Sequence, residues 1–215
     1  MNTESEKMPE NKTDQNHKKP NEICGFDTRG HIKIWDPSTG EVFRDKPNAI
    51  HYENMSVALA NSLSNQGQGW ISEMVFGNGG TVVDSTGLIT YLTPNTNGIN
   101  SSLYYQTYNK VVDQNSPLNT DTARNYMEIN HVSGATYTDI VIKCLLDYGE
   151  PSGQEAFDNS VDMNGDYVFD ELGLKSSTGK LLTHVVFHPV QKSLNRLIQI
   201  DYTIRIQSLT GFTGV

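Results

Sequence analysis

Cysteine is nearly absent: Cys24 and Cys144 are the two in 215 residues. They form no CxxC pair, and a disulfide framework needs more, so both read as free thiols. Cys144 sits in an apolar run and is expected to pack as a small hydrophobe. Cys24 follows a polar stretch, where an intermolecular bond is the alternative. Positive charge is scarce too. Lys and Arg number 16 against 25 Asp and Glu, for a formal net charge of −9. That balance argues against a broad nucleic-acid surface and against docking on anionic lipid. There is no run of about 18 apolar residues to span a membrane. The start has no apolar h-region, so no secretory signal is expected.

Catalytic motifs are missing as well. There is no GxSxG, HExxH or GxGxxG, so the chain is expected not to be an enzyme and to need no cofactor. Three patterns come close. In Gly173-Leu-Lys-Ser-Ser-Thr-Gly179-Lys180-Leu181 five residues separate the glycines where a P-loop has four, and Leu181 replaces the Ser or Thr that reaches Mg²⁺; a hairpin turn fits better. Asp162-Met-Asn164-Gly-Asp166 spaces oxygen ligands at i, i+2 and i+4, but its glycine is misplaced for a calcium loop and Gly173 stands where a bidentate Glu belongs. His184 and His188, four apart on a strand, share a face but have no evident third zinc ligand. The pairs Asp147/Glu150 and Asp170/Glu171 read as chance neighbours in an acid-rich chain.

What is present suits β-structure. Charged residues make up 19%, below the usual quarter, while Asn, Ser, Thr and Gly are plentiful. Residues Met1–Glu22 hold no Val, Ile, Leu or aromatic residue and cannot offset their ordering entropy. They are expected to form a flexible arm that orders against a partner. A hairpin is expected over 31–43, with Ile32 and Ile34 on one face and a turn at Asp36-Pro-Ser-Thr-Gly40. A helix is expected over 48–66, with Asn48 as N-cap, an apolar stripe of Met55, Ala58, Leu59 and Leu63, and Gly67 as the stop. A β body is expected over 70–207. Its strands are Trp70–Phe76, a pair around Ser85-Thr-Gly87, Leu103–Val112, Tyr126–Val132, Thr138–Tyr148, Tyr167–Leu174, Leu181–Phe187 and Leu197–Gln207. In the last, Ile198, Ile200, Tyr202, Ile204 and Ile206 alternate with polar residues, which implies an antiparallel sheet with one buried face. The expected architecture is mainly β, an antiparallel sandwich or jelly-roll-like single domain over 23–215 with one amphipathic helix. Tyr104, Tyr105 and Tyr108, with Trp35 and Trp70, are the candidate interface residues.

Three segments in order carry a resemblance. They are the helix region opening Asn48-Ala-Ile-His, the stretch Ile71-Ser-Glu-Met-Val-Phe-Gly-Asn-Gly-Gly-Thr81, and Val168-Phe-Asp-Glu-Leu-Gly-Leu174 followed by Leu181-Leu-Thr-His-Val-Val-Phe-His-Pro-Val-Gln-Lys192. Together, over roughly Asn48 to Lys192, they resemble the N-terminal attachment region of tail-collar fibre proteins of tailed phages. The resemblance implies a β-rich virion component acting through protein–protein contacts, and it implies no catalytic residues. No fibre shaft is expected beyond Gln207. The expectation is therefore an oligomeric adaptor or attachment piece of the tail, collar, neck or baseplate, assembled in the host cytoplasm. A capsid-surface decoration protein or a glycan- or receptor-binding module is the alternative.

Overall fold

The computed structural model describes residues 23–153 and 167–212. The expected arm Met1–Glu22 and the loop Asp162–Asp166 lie outside them. Nine antiparallel strands form one sheet: β1 (Ile23–Trp35), β2 (Val42–Ile50), β3 (Ile71–Gly77), β6 (Gln106–Val111), β7 (Tyr126–His131), β8 (Tyr137–Leu146), β9 (Val168–Ser176), β10 (Leu181–Gln191) and β11 (Ile198–Phe212). Their order is β6-β3-β9-β10-β2-β1-β11-β8-β7. A separate ribbon pairs β4 (Thr81–Val83) with β5 (Ile89–Tyr91), and the one helix among the described residues, α1, spans Tyr52–Leu63. The expected mainly β, antiparallel fold with a single helix is what forms. No helix among the described residues is long and apolar enough to cross a membrane.

The sheet curls because β2 changes partner along its length. Gly30–Trp35 of β1 pair with Val42–Asn48, whereas Ala49 and Ile50 pair with His184 and Thr183 of β10. A strand that switches layers in this way makes the corner of a sandwich. The two halves enclose one core, in which Ile32, Ile142, Leu172, Leu174, Ile200 and Tyr202 are fully buried. The alternation read in the last strand holds: Ile198, Ile200, Tyr202 and Ile204 point inward, while Ile206 is half-buried. Cys144 is buried opposite Ile200, as expected of a small hydrophobe.

Several boundaries differ from the sequence reading. Asn48 does not cap the helix. It lies in β2 with its side chain over Gly30 and donates to the Tyr202 hydroxyl. The cap is His51, whose Nδ1 accepts from the Asn54 amide at 3.1 Å. The helix also stops earlier than Gln66. Asn65 takes φ +54°, its amide bonds to the Ser62 carbonyl, and the Gln66 amide reaches back to Asn61. That is the Schellman arrangement, with Asn in the left-handed position ahead of Gly67. As a result Leu63 is 88% exposed and drops out of the expected stripe, while Met55 and Ala58 are buried and Leu59 packs against the core.

Candidate functional site

Both faces of β9 and β10 are covered. The core lies on one side, and residues 78–105, here called the strap, lie on the other. The strap leaves β3, forms the β4–β5 ribbon and returns to β6. Leu103 buries itself in a small outer cluster with Val75 and Leu181. The glycines of Gly77-Asn-Gly-Gly80 make the close approach possible. A Cβ on Gly77 would sit 2.4 Å from the Tyr105 carbonyl, and one on Gly79 would sit 2.7 Å from the Tyr105 amide.

Buried polar side chains pin the strap at both ends and in the middle. Asp170 accepts from the Gly80 amide at 2.9 Å and from the Thr81 amide at 2.8 Å, and also takes the Thr81 hydroxyl. Glu171 accepts from the Tyr104 and Tyr105 amides at 2.9 and 2.7 Å. His184 Nε2 stands 2.9 Å from the same carboxylate, and its Nδ1 accepts from the Asn95 amide at 2.7 Å. His51 reaches the Gly98 carbonyl at 3.0 Å. The pair Asp170/Glu171, which looks accidental in the sequence, thus holds backbone amides in a buried setting. A charge buried this deeply is tolerated only when its acceptor sites are filled.

The strap's outer side shows apolar and aromatic side chains among polar ones such as Asp84, Ser85, Thr86 and Asn100. Val82, Leu88, Tyr91, Ile99, Tyr104 and Tyr105 are all exposed. The Tyr104 hydroxyl donates to the Thr93 carbonyl at 2.6 Å, which fixes its ring. The tyrosine trio divides here. Tyr104 and Tyr105 precede β6; Tyr105 is exposed, and the Tyr104 ring lies across His184 at 5.7 Å with its outer half open. Tyr108 is half-buried, with its ring 6.1 Å from that of Phe76 and its phenol pushed up to about 12 by burial, then by Glu150 and Cys144. The tryptophans lie elsewhere. Trp35 is half-buried, donates to Asp201 at 3.1 Å and lies under Lys33. Trp70 is exposed just before β3, where its carbonyl accepts from Ser177.

The other sequence candidates resolve individually. Residues 176–180 form the β9–β10 hairpin turn, with Gly179 at φ +76° and Lys180 bonded to Asn100 at 2.7 Å. His184 and His188 share the strap-facing side of β10, with Val185 and Phe187 turned into the core between them, but they meet different parts of the strap: His184 takes the Asn95 amide and His188 meets the Tyr91 hydroxyl. The irregularity between Val186 and Val190, where Pro189 has no N–H to give, turns Val190 back into the core. Asp147 and Glu150 border an open cleft of about 450 Å³ with Lys110, Thr120, Asp121, Arg124 and Gly149. Its charges pair with one another: Lys110 with Glu150, and Arg124 with Asp121 and with Asp147, the last at 2.6 Å. The Tyr148 amide and Arg124 hold the Asp147 carboxyl below the usual carboxylate range. Among the described residues no three His, Cys, Asp or Glu side chains are grouped to hold a metal ion. No protein-family model, no curated protein and no solved structure matches this chain.

Proposed function

We propose that this chain is a structural component of a phage particle, an oligomeric adaptor or attachment piece of the tail, collar, neck or baseplate that works by contact with other virion proteins. The observation that carries the contact reading is the strap. Ordered aromatic and aliphatic side chains stand outward on a segment bolted to a rigid sheet. Such pre-ordered anchors lose little entropy on binding and account for most of an interface's energy. The virion part of the reading rests on the resemblance. The segments that carry it are largely β3 with the strap's first turn, β9 and β10, which lie side by side and form the strap's seat. The sheet also ends in β6 and β7; the Gln114 side chain takes the Met127 amide and carbonyl, which leaves the part of β7 around Ile129, with β6, as edges for pairing with another copy. The acidic balance leaves nucleic acid and membrane out of the proposed partners.

The test is incorporation. Tyr104→Ala/Tyr105→Ala, with Tyr52→Ala on the exposed face of α1 as control, is supplied in place of the native chain during particle assembly. The double variant is expected to fold normally and to be incorporated at least about ten-fold less, the loss of one modest anchor. Normal incorporation of the double variant would overturn the proposal. Tyrosine-dependent sugar binding on a glycan array, with incorporation intact, would put a receptor-binding module in its place.

A further inference from the structure

Two buried histidines hold the middle of the strap with the same pair of atoms. In His184, Nδ1 accepts from the Asn95 amide and Nε2 faces a Glu171 oxygen. In His51, Nδ1 accepts from the Asn54 amide and Nε2 faces the Gly98 carbonyl. A backbone N–H only donates, and a carboxylate or carbonyl oxygen only accepts. Each ring therefore carries its single proton on Nε2 and is neutral. The His184–Glu171 contact is a carboxylate accepting from a neutral ring. Both histidines are 0% exposed, so water is not at hand to take over any bond that is lost.

We infer that residues 93–102 form an acid-released flap: protonation of His184 and His51 frees them from the sheet while the body stays folded. The second proton can go only on Nδ1. On His184 this turns the acceptor for Asn95 into a donor that faces another donor. Glu171 accepts from Nε2 in either state and favours the charged ring, so the conflict is relieved by moving Asn95 away. On His51 the new N–H opposes the Asn54 amide, and the ring's positive charge sits at the helix N-terminus, where cations are disfavoured. If that ring leaves its seat, Gly98 loses its anchor. The strap's ends do not depend on either imidazole acceptor, because Asp170 holds Gly80 and Thr81 and Glu171 holds Tyr104 and Tyr105. The flap is thus bounded by two fixed points.

The other charged and titratable groups nearby are few. Around His184 they are Glu171 and Asp170 on β9, the Tyr104 ring at 5.7 Å, His188 farther along β10, which meets the Tyr91 hydroxyl at 3.2 Å, and Lys46 of β2, whose Nζ reaches the Val186 carbonyl at 3.0 Å. Around His51 they are Glu53 in the first helical turn and Lys180, which bonds to Asn100. The device is a property of the chain's own hydrogen bonds and does not depend on what the strap binds.

Hydrogen exchange of the full chain, read by mass spectrometry at pH 7.5 and 5.0 and corrected for intrinsic rates, tests it. Protection across 93–102 is expected to fall at least about ten-fold at pH 5.0, the effect of losing one buried hydrogen bond. Protection of β8 and β11 is expected to persist. The variant His51→Asn/His184→Gln is expected to show no such step. Equal protection at both pH values, loss across β8 and β11 together with the flap, or an undiminished step in the double variant would overturn the inference. The ring nitrogens of the unaltered chain, followed by NMR, give a second readout should the variant not fold. Neutral Nε2–H rings at pH 7.5 that become doubly protonated at pH 5.0 support the inference, and rings still neutral at pH 5.0 contradict it.

Discussion

At the scale of single residues, the most consequential side chains here are acceptors for backbone amides. Glu171 fills its acceptor sites with two amides and a ring N–H. Glu171→Ala would strand those donors under the strap and is expected to cost about 3–5 kcal/mol, the range for removing one member of a buried charged network. Thermal melting checks this, and a melt within a degree of the unaltered protein would show that the donors find other partners. Cys144 gives a simpler case. Burial pushes its thiol up to about 12, so it is expected to resist iodoacetamide at pH 8 until the protein unfolds, as peptide mapping would show. Asp139 is held below the usual carboxylate range mainly by the Arg205 fork, with both bonds at 2.8 Å. A depressed carboxylate stabilises the fold above its unfolded value of ~3.9, and that stabilisation is lost as pH falls through the lower folded value. Asp139→Asn should therefore flatten the acid limb of the stability curve and leave its slope near neutrality unchanged. None of the strap's pins was legible in the sequence. Glu171 meets amides 66 and 67 residues away, and nothing local in Asp-Glu marks such partners. His51 was hidden for a related reason, since its role depends on where the strand before it ends.

At the scale of elements, what was legible followed from local periodicity. The β11 alternation, the Asp36–Gly40 turn and the β9–β10 hairpin could be read because their causes lie within a few residues. The errors fall where distant pairing decides. β1 starts near residue 23 rather than 31 because β11 gives that polar stretch a partner along its length. The helix is shorter at its start because β10 claims Ala49 and Ile50 for the sheet, and shorter at its end because Asn65 takes the left-handed turn. Leu59 and Leu63 test this account directly. Leu59→Asp puts a charge against the core and should cost several kcal/mol, whereas Leu63→Asp should stay within about 0.5 kcal/mol. Comparable effects on urea midpoints would place the two leucines on one buried stripe after all. Gly79→Ala should likewise weaken the strap, because its Cβ meets backbone that cannot yield.

At the scale of the molecule, composition made a β-rich fold legible, but not the curl through β2 or the strap that covers the outer face. Both depend on which strands meet across the chain. The open β7 edge carries Ile129, which is 74% exposed. Ile129→Lys puts a charge on that edge, the usual guard against strand addition. It is expected to lower the mass seen by light scattering if self-association uses β7. The central claim is that the strap's tyrosines touch another protein in the assembled particle. A photo-crosslinking amino acid placed at Tyr105, with Tyr52 as the comparison site, tests it most directly. The account predicts crosslinks from position 105 to a second virion chain or a second copy in assembled particles, and none in dilute free protein. A position 105 that yields no crosslink in particles and stays fully open to a small labelling reagent would contradict it.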